Sequence, residues 1–106
     1  MLKTIRQTCV AVSGDVLLTG QCIRVALIVQ AAMGGELIRG SVDGWMHFWN
    51  RLPDGSEVDL TSSQFGGDGM TPLGKCGVAI EKPDPVPVEH LAFVMRVLRH
   101  LERRAE

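Results

Sequence analysis

The stretch HFWNRLPDGSEVDLT, residues 47–61, decides the fold and carries two residue types that catalytic sites use. LPDG at its centre is typical of a tight turn, because proline presets the first central dihedral, aspartate tolerates the second, and glycine accepts a positive φ. The flanking residues include the aromatic and β-branched types that favour strands. The stretch therefore predicts a β-hairpin with a histidine on its first arm and an aspartate on its second.

The length of the turn decides which side chains share a face of this hairpin. A three-residue loop, made of a type I turn and a glycine bulge, would pair Leu52 with Ser56. His47 and Asp59 then become diagonal neighbours on one face, with β-carbons about 7–8 Å apart or less. A two-residue loop would place them on opposite faces. In the three-residue register the other face carries an apolar set: Met46, Phe48, Val58 and Leu60.

The remaining segments predict a small α+β domain. Residues 22–33, CIRVALIVQAAM, are apolar almost all round, which is typical of a helix buried in the middle of its domain. Flanking helices are predicted at residues 1–13 and from residue 88 onward, and strands at residues 36–42, 45–52, 56–61 and 78–82. Residues 62–65 predict one helical turn and residues 66–77 a flexible glycine loop.

Composition limits the classes of protein that this chain can represent. A chain of 106 residues has material for a single domain, which we place at residues 1–106. The net charge of −1 gives no reason to expect nucleic acid as a partner. No apolar run approaches the roughly 20 residues of a transmembrane helix, and the first residues lack the core of a signal peptide. We therefore expect a cytoplasmic protein with no membrane association.

The three cysteines, at positions 9, 22 and 76, are odd in number and widely spaced, so we expect free thiols. They and the three histidines show no metal-ligand spacing, and neither a metal nor a cofactor is implied. Cys22 is the candidate nucleophile, because it opens the buried helix. A helix N-terminus and a nearby imidazolium both favour thiolate, and the backbone N–H of Cys22 is a candidate oxyanion donor. A carboxylate at Asp59 would orient the His47 imidazole.

These residues resemble a known pattern. GQC at 20–22, HFW at 47–49 and VDLT at 58–61 are similar to the Gly-x-Cys, His-x-Trp and Asp-x-Thr blocks of transglutaminase-like and papain-like cysteine enzymes. Residues 20–40 and 47–65 more closely resemble the YunG-like family of small bacterial proteins. The resemblance implies a papain-like or transglutaminase-like core in which Cys22 is the nucleophile, His47 the general base and Asp59 the orienting acid.

The chain also departs from the papain-like pattern. The oxyanion glutamine of papain-like enzymes stands six residues before the cysteine, where this chain has Val16. Gln21 is a weaker oxyanion or substrate-binding candidate, because it adjoins Cys22. Trp49 is a weak candidate for lining a substrate cleft, and sheet packing is the alternative. The chain is also much smaller than typical peptidases and transglutaminases.

Structural alternatives exist for each candidate residue. Cys22 can be a small buried hydrophobe, as most free cysteines are. His47 can be packed between two tryptophans, and Asp59 can be a surface carboxylate. Asn50 could replace the orienting acid, but strand alternation puts it on the face away from His47. GMTPLGKC, residues 69–76, lacks only the final hydroxyl residue of a phosphate-binding loop. Its flanking segments nevertheless favour an ordinary glycine loop. One hypothesis is that this loop acts as a lid over Cys22.

We accordingly expect the Cys22 helix to pack on the His47/Asp59 face of an antiparallel sheet of three or four strands. The expected function is thiol-dependent acyl transfer, either hydrolysis of an amide or ester or a transglutaminase-like reaction, on an unidentified protein or peptide. The alternative is a non-catalytic protein-binding or regulatory module on the same fold.

Overall fold

A computed structural model describes residues 1–105 of the chain. Within them, three α-helices, one 3-10 helix and a four-stranded antiparallel sheet form, which confirms the α+β class. The helices are α1 (Leu2–Ser13), α2 (Cys22–Met33) and α3 (Val88–Ala105), and the 3-10 helix is Ser62–Phe65. The strands are β1 (Glu36–Val42), β2 (Trp45–Arg51), β3 (Glu57–Val58) and β4 (Lys75–Ile80), in the spatial order β3-β2-β1-β4.

Helix α2 is the central element of the core, as its uniformly apolar sequence predicts. It contacts α1 and α3 on one side and β1 and β2 on the other. Five consecutive residues in its middle, residues 25–29, are buried, so no face of this segment is left to water. Glycine at position 34 follows with a φ of 78° and ends the helix. The buried middle of α2 therefore fixes the position of the helix that Cys22 begins.

The hairpin has the three-residue loop on which the site depends. The Leu52 N–H donates to the Ser56 carbonyl at 2.7 Å, and the Gly55 N–H donates to the Leu52 carbonyl at 2.9 Å. Gly55 has a φ of 89°, which glycine adopts without strain. Arg51 lies opposite Glu57, in the same register. The predicted turn is confirmed, and the alternative register is excluded.

Strand β3 is shorter than predicted, with two residues instead of the six between positions 56 and 61. The chain leaves the ladder at Asp59, whose N–H donates to the Met70 carbonyl at 2.8 Å instead of to β2. A network around a buried carboxylate thus replaces regular strand pairing at this point. Sequence patterning could not detect this, because VDLT retains the alternation of a strand.

Two expectations about the faces of the sheet were wrong. Met46 was expected in an apolar face, but 67% of its surface is exposed. The middle of α2 was expected against the His47 face, yet it meets the opposite one, where the Asn50 amide donates to the Ala26 carbonyl at 2.9 Å. The polar Asn50 side chain is tolerated in this buried face because its amide N–H forms a hydrogen bond with the helix carbonyl. Only the Cys22 end of α2 lies beside His47.

The segment after the 3-10 helix is less loop-like than expected. Its first half is tied down, since the Gly69 N–H donates to Ser62 Oγ at 2.9 Å and the Asp68 carboxylate accepts the Met70 N–H at 2.8 Å. Strand β4 begins at Lys75, inside the predicted loop. The stretch that resembles a phosphate-binding loop therefore runs into a strand, whereas a phosphate-binding loop leads into a helix.

Among the helices that the structure describes, none combines the length and the apolar character that a bilayer crossing requires.

Candidate active site

The Asp59 carboxylate is buried, with 2% of the residue exposed, and it accepts three hydrogen bonds. Its Oδ1 accepts from both the backbone N–H and the Oγ1 hydroxyl of Thr61, each at 3.0 Å. Its Oδ2 accepts from His47 Nε2 at 2.7 Å, a distance typical of a charge-assisted bond. The diagonal contact predicted from the loop length is therefore present, and Asp59 is not a surface carboxylate.

The His47 ring is enclosed, with 1% of the residue exposed. The Phe65 ring meets it edge-on with the ring centroids 4.9 Å apart, and the Trp49 ring stacks at 6.1 Å. Burial disfavours the imidazolium and lowers the pKa of His47. Hydrogen bonds with Asp59 and then Cys22, and the charges of both groups, outweigh burial and raise this pKa from 6.5 to about 9. The imidazole therefore carries a proton at neutral pH.

Cys22 is the first residue of α2 and is partly accessible to solvent. Cys22 is close enough to the His47 imidazole to raise the pKa of that ring. Since Nε2 is already bonded to Asp59, Nδ1 is the ring nitrogen that remains for the sulfur. The backbone N–H of the first helical residue has no acceptor within its own helix. The structure thus brings His47 and Asp59 into the predicted hydrogen bond, with Cys22 as the first residue of α2.

The other two cysteines occupy different surroundings. Cys9 is fully buried in α1, and burial raises the pKa of its thiol to about 12, an effect that the positive charge of Arg6 only partly offsets. Cys76 is exposed at the start of β4. All three thiols are free, as predicted. Cys9 is consequently shielded from reagents, whereas Cys76 competes with Cys22 for them.

The weaker candidates lie at the margin of the site or outside it. Gln21 is the N-cap residue of α2, and its Oε1 accepts from Arg24 Nη1 at 3.3 Å. Trp49 is 2% exposed and donates its indole N–H to Glu57 at 2.7 Å. Its ring lies against the backbone of three glycines, Gly40, Gly74 and Gly77. The indole thus has the packing role that was the alternative to cleft lining. Asn50 is engaged by α2, as described above.

Sequence reasoning missed the contribution of the 3-10 helix, Ser62–Phe65. Its residues Gln64 and Phe65 are adjacent in the chain, and they contact the segment before Cys22 and the His47 ring, respectively. The Gln64 Oε1 accepts the Gly20 N–H at 3.2 Å, two residues before Cys22, while Phe65 contacts His47. The Asp-x-Thr block, with Asp59 bonded to the N–H two residues later, was the available signal that the chain turns here.

No cluster of metal-binding side chains occurs in the part of the chain that the structure describes. A cavity of about 560 Å³ lies between α1 and α3, lined in part by Arg96, His100 and Arg103. None of its lining residues belongs to the Cys22–His47–Asp59 cluster. Proximity to reactive groups, not cavity size, therefore identifies the candidate site.

The fold and the site together define a small α+β protein in which a helix-initiating cysteine adjoins a buried histidine–aspartate pair. The model of the YunG protein family matches residues 3–98, so the chain belongs to this family. The match extends beyond the region of resemblance recognised in the sequence, residues 20–65, and takes in α1 and most of α3. No curated protein and no solved structure matches this chain.

Proposed function

We propose that this protein is a thiol-dependent acyl-transfer enzyme with a Cys22–His47–Asp59 triad on a papain-like or transglutaminase-like core. The observation that carries the proposal is the buried His47 imidazole, which is bonded to Asp59 at 2.7 Å and adjoins Cys22. A histidine serving only to fill the core would not need a buried carboxylate bonded to its ring and a thiol close to it. An imidazolium beside a sulfur at a helix N-terminus favours the thiolate as the reacting form.

The reaction proceeds in two halves. The Cys22 thiolate attacks the carbonyl carbon of an amide or ester, and His47 transfers its proton to the departing amine or alkoxide, which leaves a thioester. Water or an amine then attacks the thioester carbon and loses a proton to His47, and the Cys22 thiolate departs. Asp59 keeps the imidazole oriented and stabilises its charge throughout.

The deciding experiment uses p-nitrophenyl acetate in a Cys76→Ser background, which removes the exposed thiol that would react on its own. We expect release of p-nitrophenol with transient acetylation of Cys22, detected by intact mass. Cys22→Ala should abolish both, and His47→Gln should slow acetylation by about 10²-fold or more. A Cys22 that stays unmodified in the Cys76→Ser protein would refute the proposal.

Non-catalytic binding of a protein partner is the second candidate, and one observation favours it. Trp45 and Met46, adjacent at the start of β2, are 72% and 67% exposed, which is unusual for large apolar side chains. If this role is correct, Cys22→Ala would leave binding intact while the paired change Trp45→Ser, Met46→Ser abolishes it. The triad proposal expects the reverse dependence for acetylation.

A further inference from the structure

The Gln64 side chain carries a buried donor without a partner. Its Oε1 accepts the Gly20 N–H at 3.2 Å, and this bond fixes which end of the amide is oxygen and which is nitrogen. Among residues 1–105, no acceptor lies within hydrogen-bond distance of Nε2, although this atom is buried. Buried polar groups are almost always paired, so an orphaned amide nitrogen calls for a physical reason.

The position of this amide supplies the reason. Gly20, to which Gln64 is anchored, stands two residues before Cys22. Phe65, the next residue after Gln64, lies edge-on to the His47 ring at 4.9 Å. The 3-10 helix therefore touches the chain that leads into the nucleophile and also the ring of the base. The Gln64 amide is thereby anchored to the segment that leads into Cys22, and its neighbour Phe65 lies against the His47 ring.

We infer that Gln64 is a substrate-binding residue whose Nε2 donates to the carbonyl oxygen of the acyl group and to the oxyanion formed from it. This inference rests on the proposed function. When the Cys22 sulfur bonds to the carbonyl carbon, the π electron pair moves onto oxygen, and it returns when the leaving group departs. Gln64 Nε2 and the Cys22 backbone N–H are the two donors for that charge.

Gln64 would thereby be the side-chain donor to the oxyanion. Val16, at the position of the papain-like oxyanion glutamine, has no polar group, and Gln21 was the weaker candidate for this role. The Gln21 oxygen is engaged by Arg24, on the side of α2 where Arg24 also bonds His90 of α3. The Gln64 oxygen, by contrast, is used to hold the amide in place, and its nitrogen has no partner among residues 1–105. Because Nε2 is buried in the unliganded protein, the substrate has to displace the side chains that cover it in order to reach this donor.

Two variants separate this role from a structural one. Gln64→Glu retains an oxygen that can accept the Gly20 N–H but replaces the donor with a second oxygen. Gln64→Met is neutral, similar in length and has neither group. Gln7→Glu makes the same chemical change at an exposed position of α1 and serves as the matched control. All variants carry Cys76→Ser.

Each variant is measured in two reactions at neutral pH. Acetylation of Cys22 by p-nitrophenyl acetate forms an oxyanion, whereas alkylation of Cys22 by iodoacetamide forms none. We expect both Gln64 variants to lose about 10²–10³-fold in acetylation. We expect Gln64→Met to stay within about threefold of the parent in alkylation, and the control to match the parent in both reactions.

The outcomes distinguish the inference from the proposal on which it rests. Acetylation that is unchanged in both Gln64 variants of an active protein overturns the role of Gln64 alone. Equal losses in acetylation and alkylation for Gln64→Met show that the residue only shapes the site, and also overturn it. A parent protein whose Cys22 is never acetylated overturns the proposed function, and the inference with it.

Discussion

Replacement of Asp59 by asparagine tests the electrostatics of the site with almost no change in shape. The new amide oxygen can still accept both Thr61 bonds, but its NH₂ group would face His47 Nε2 where the carboxylate accepted at 2.7 Å. To accept from that NH₂ group, the imidazole has to be neutral with its proton on Nδ1, the nitrogen beside Cys22. This is the wrong tautomer for a base that serves the sulfur.

The cost follows from the loss of one charge-assisted bond, which a weaker neutral bond replaces. A buried hydrogen bond to a charged group contributes about 1.5–3 kcal/mol, and we expect Asp59→Asn to lower the free energy of unfolding by that amount at neutral pH. The larger penalty of about 3–5 kcal/mol for an orphaned buried charge does not apply, because His47 can become neutral. Urea unfolding followed by tryptophan fluorescence gives the difference.

The same substitution removes the strongest cause of the raised pKa of His47. We expect this pKa to fall from about 9 to its ordinary value of 6.5 or below, since burial would then act with less opposition. The Cε1–H chemical shift of His47 measures it by NMR, with the assignment taken from His47→Gln. Asp43→Asn, an exposed carboxylate in the β1–β2 turn, is the control and should change neither quantity. An Asp59→Asn protein whose His47 still titrates near pH 9 would refute the reasoning.

Three further predictions follow from the site and its supports. The folded-state pKa of His47 lies above its unfolded value of 6.5, so the stabilising contribution of its proton is complete below pH 6.5 and is lost as the pH rises through about 9. Urea unfolding across this window should show the decline in the free energy of unfolding, and His47→Gln should flatten it. Iodoacetamide should alkylate Cys22 rapidly near neutral pH and leave Cys9 unmodified in the folded protein, as peptide mass analysis would reveal. Alkylation of Cys22 should be at least about tenfold slower after His47→Ala. Gly40→Ala would push a methyl group into the Trp49 ring and should destabilise the fold by about 1–3 kcal/mol in thermal unfolding, whereas an unchanged midpoint would contradict the tight packing described here.

Local patterns in the sequence were sufficient for the elements that position the site. The β1, β2 and α2 segments were predicted within a residue of their ends, because glycine stops and apolar patterning agree there. The three-residue loop at LPDG followed from turn chemistry, and with it the meeting of His47 and Asp59. These features depend on neighbours in the chain, which is the information that a single sequence contains.

Features that depend on distant contacts escaped prediction. Asp59 leaves the ladder because the Met70 carbonyl, eleven positions later, accepts its N–H. No sequence motif distinguishes Gln64, and only its hydrogen bond with Gly20 places it near the site. The face of β2 that meets α2 was misjudged, since a polar Asn50 satisfied by a helix carbonyl looks like a surface residue in the sequence. Each of these three features depends on a polar group whose partner lies far along the chain.

The turn in which Asp59 binds Thr61 has a thermodynamic consequence for the proposed reaction. Two of the three bonds to the carboxylate come from a residue two positions away, so the orientation of the carboxylate is fixed by its own segment whatever His47 does. The imidazole can gain or lose its proton against a stationary counter-charge. In the proposed reaction, the reorganisation energy for each proton transfer would therefore be small, because the dipoles that solvate the imidazolium were aligned when the chain folded.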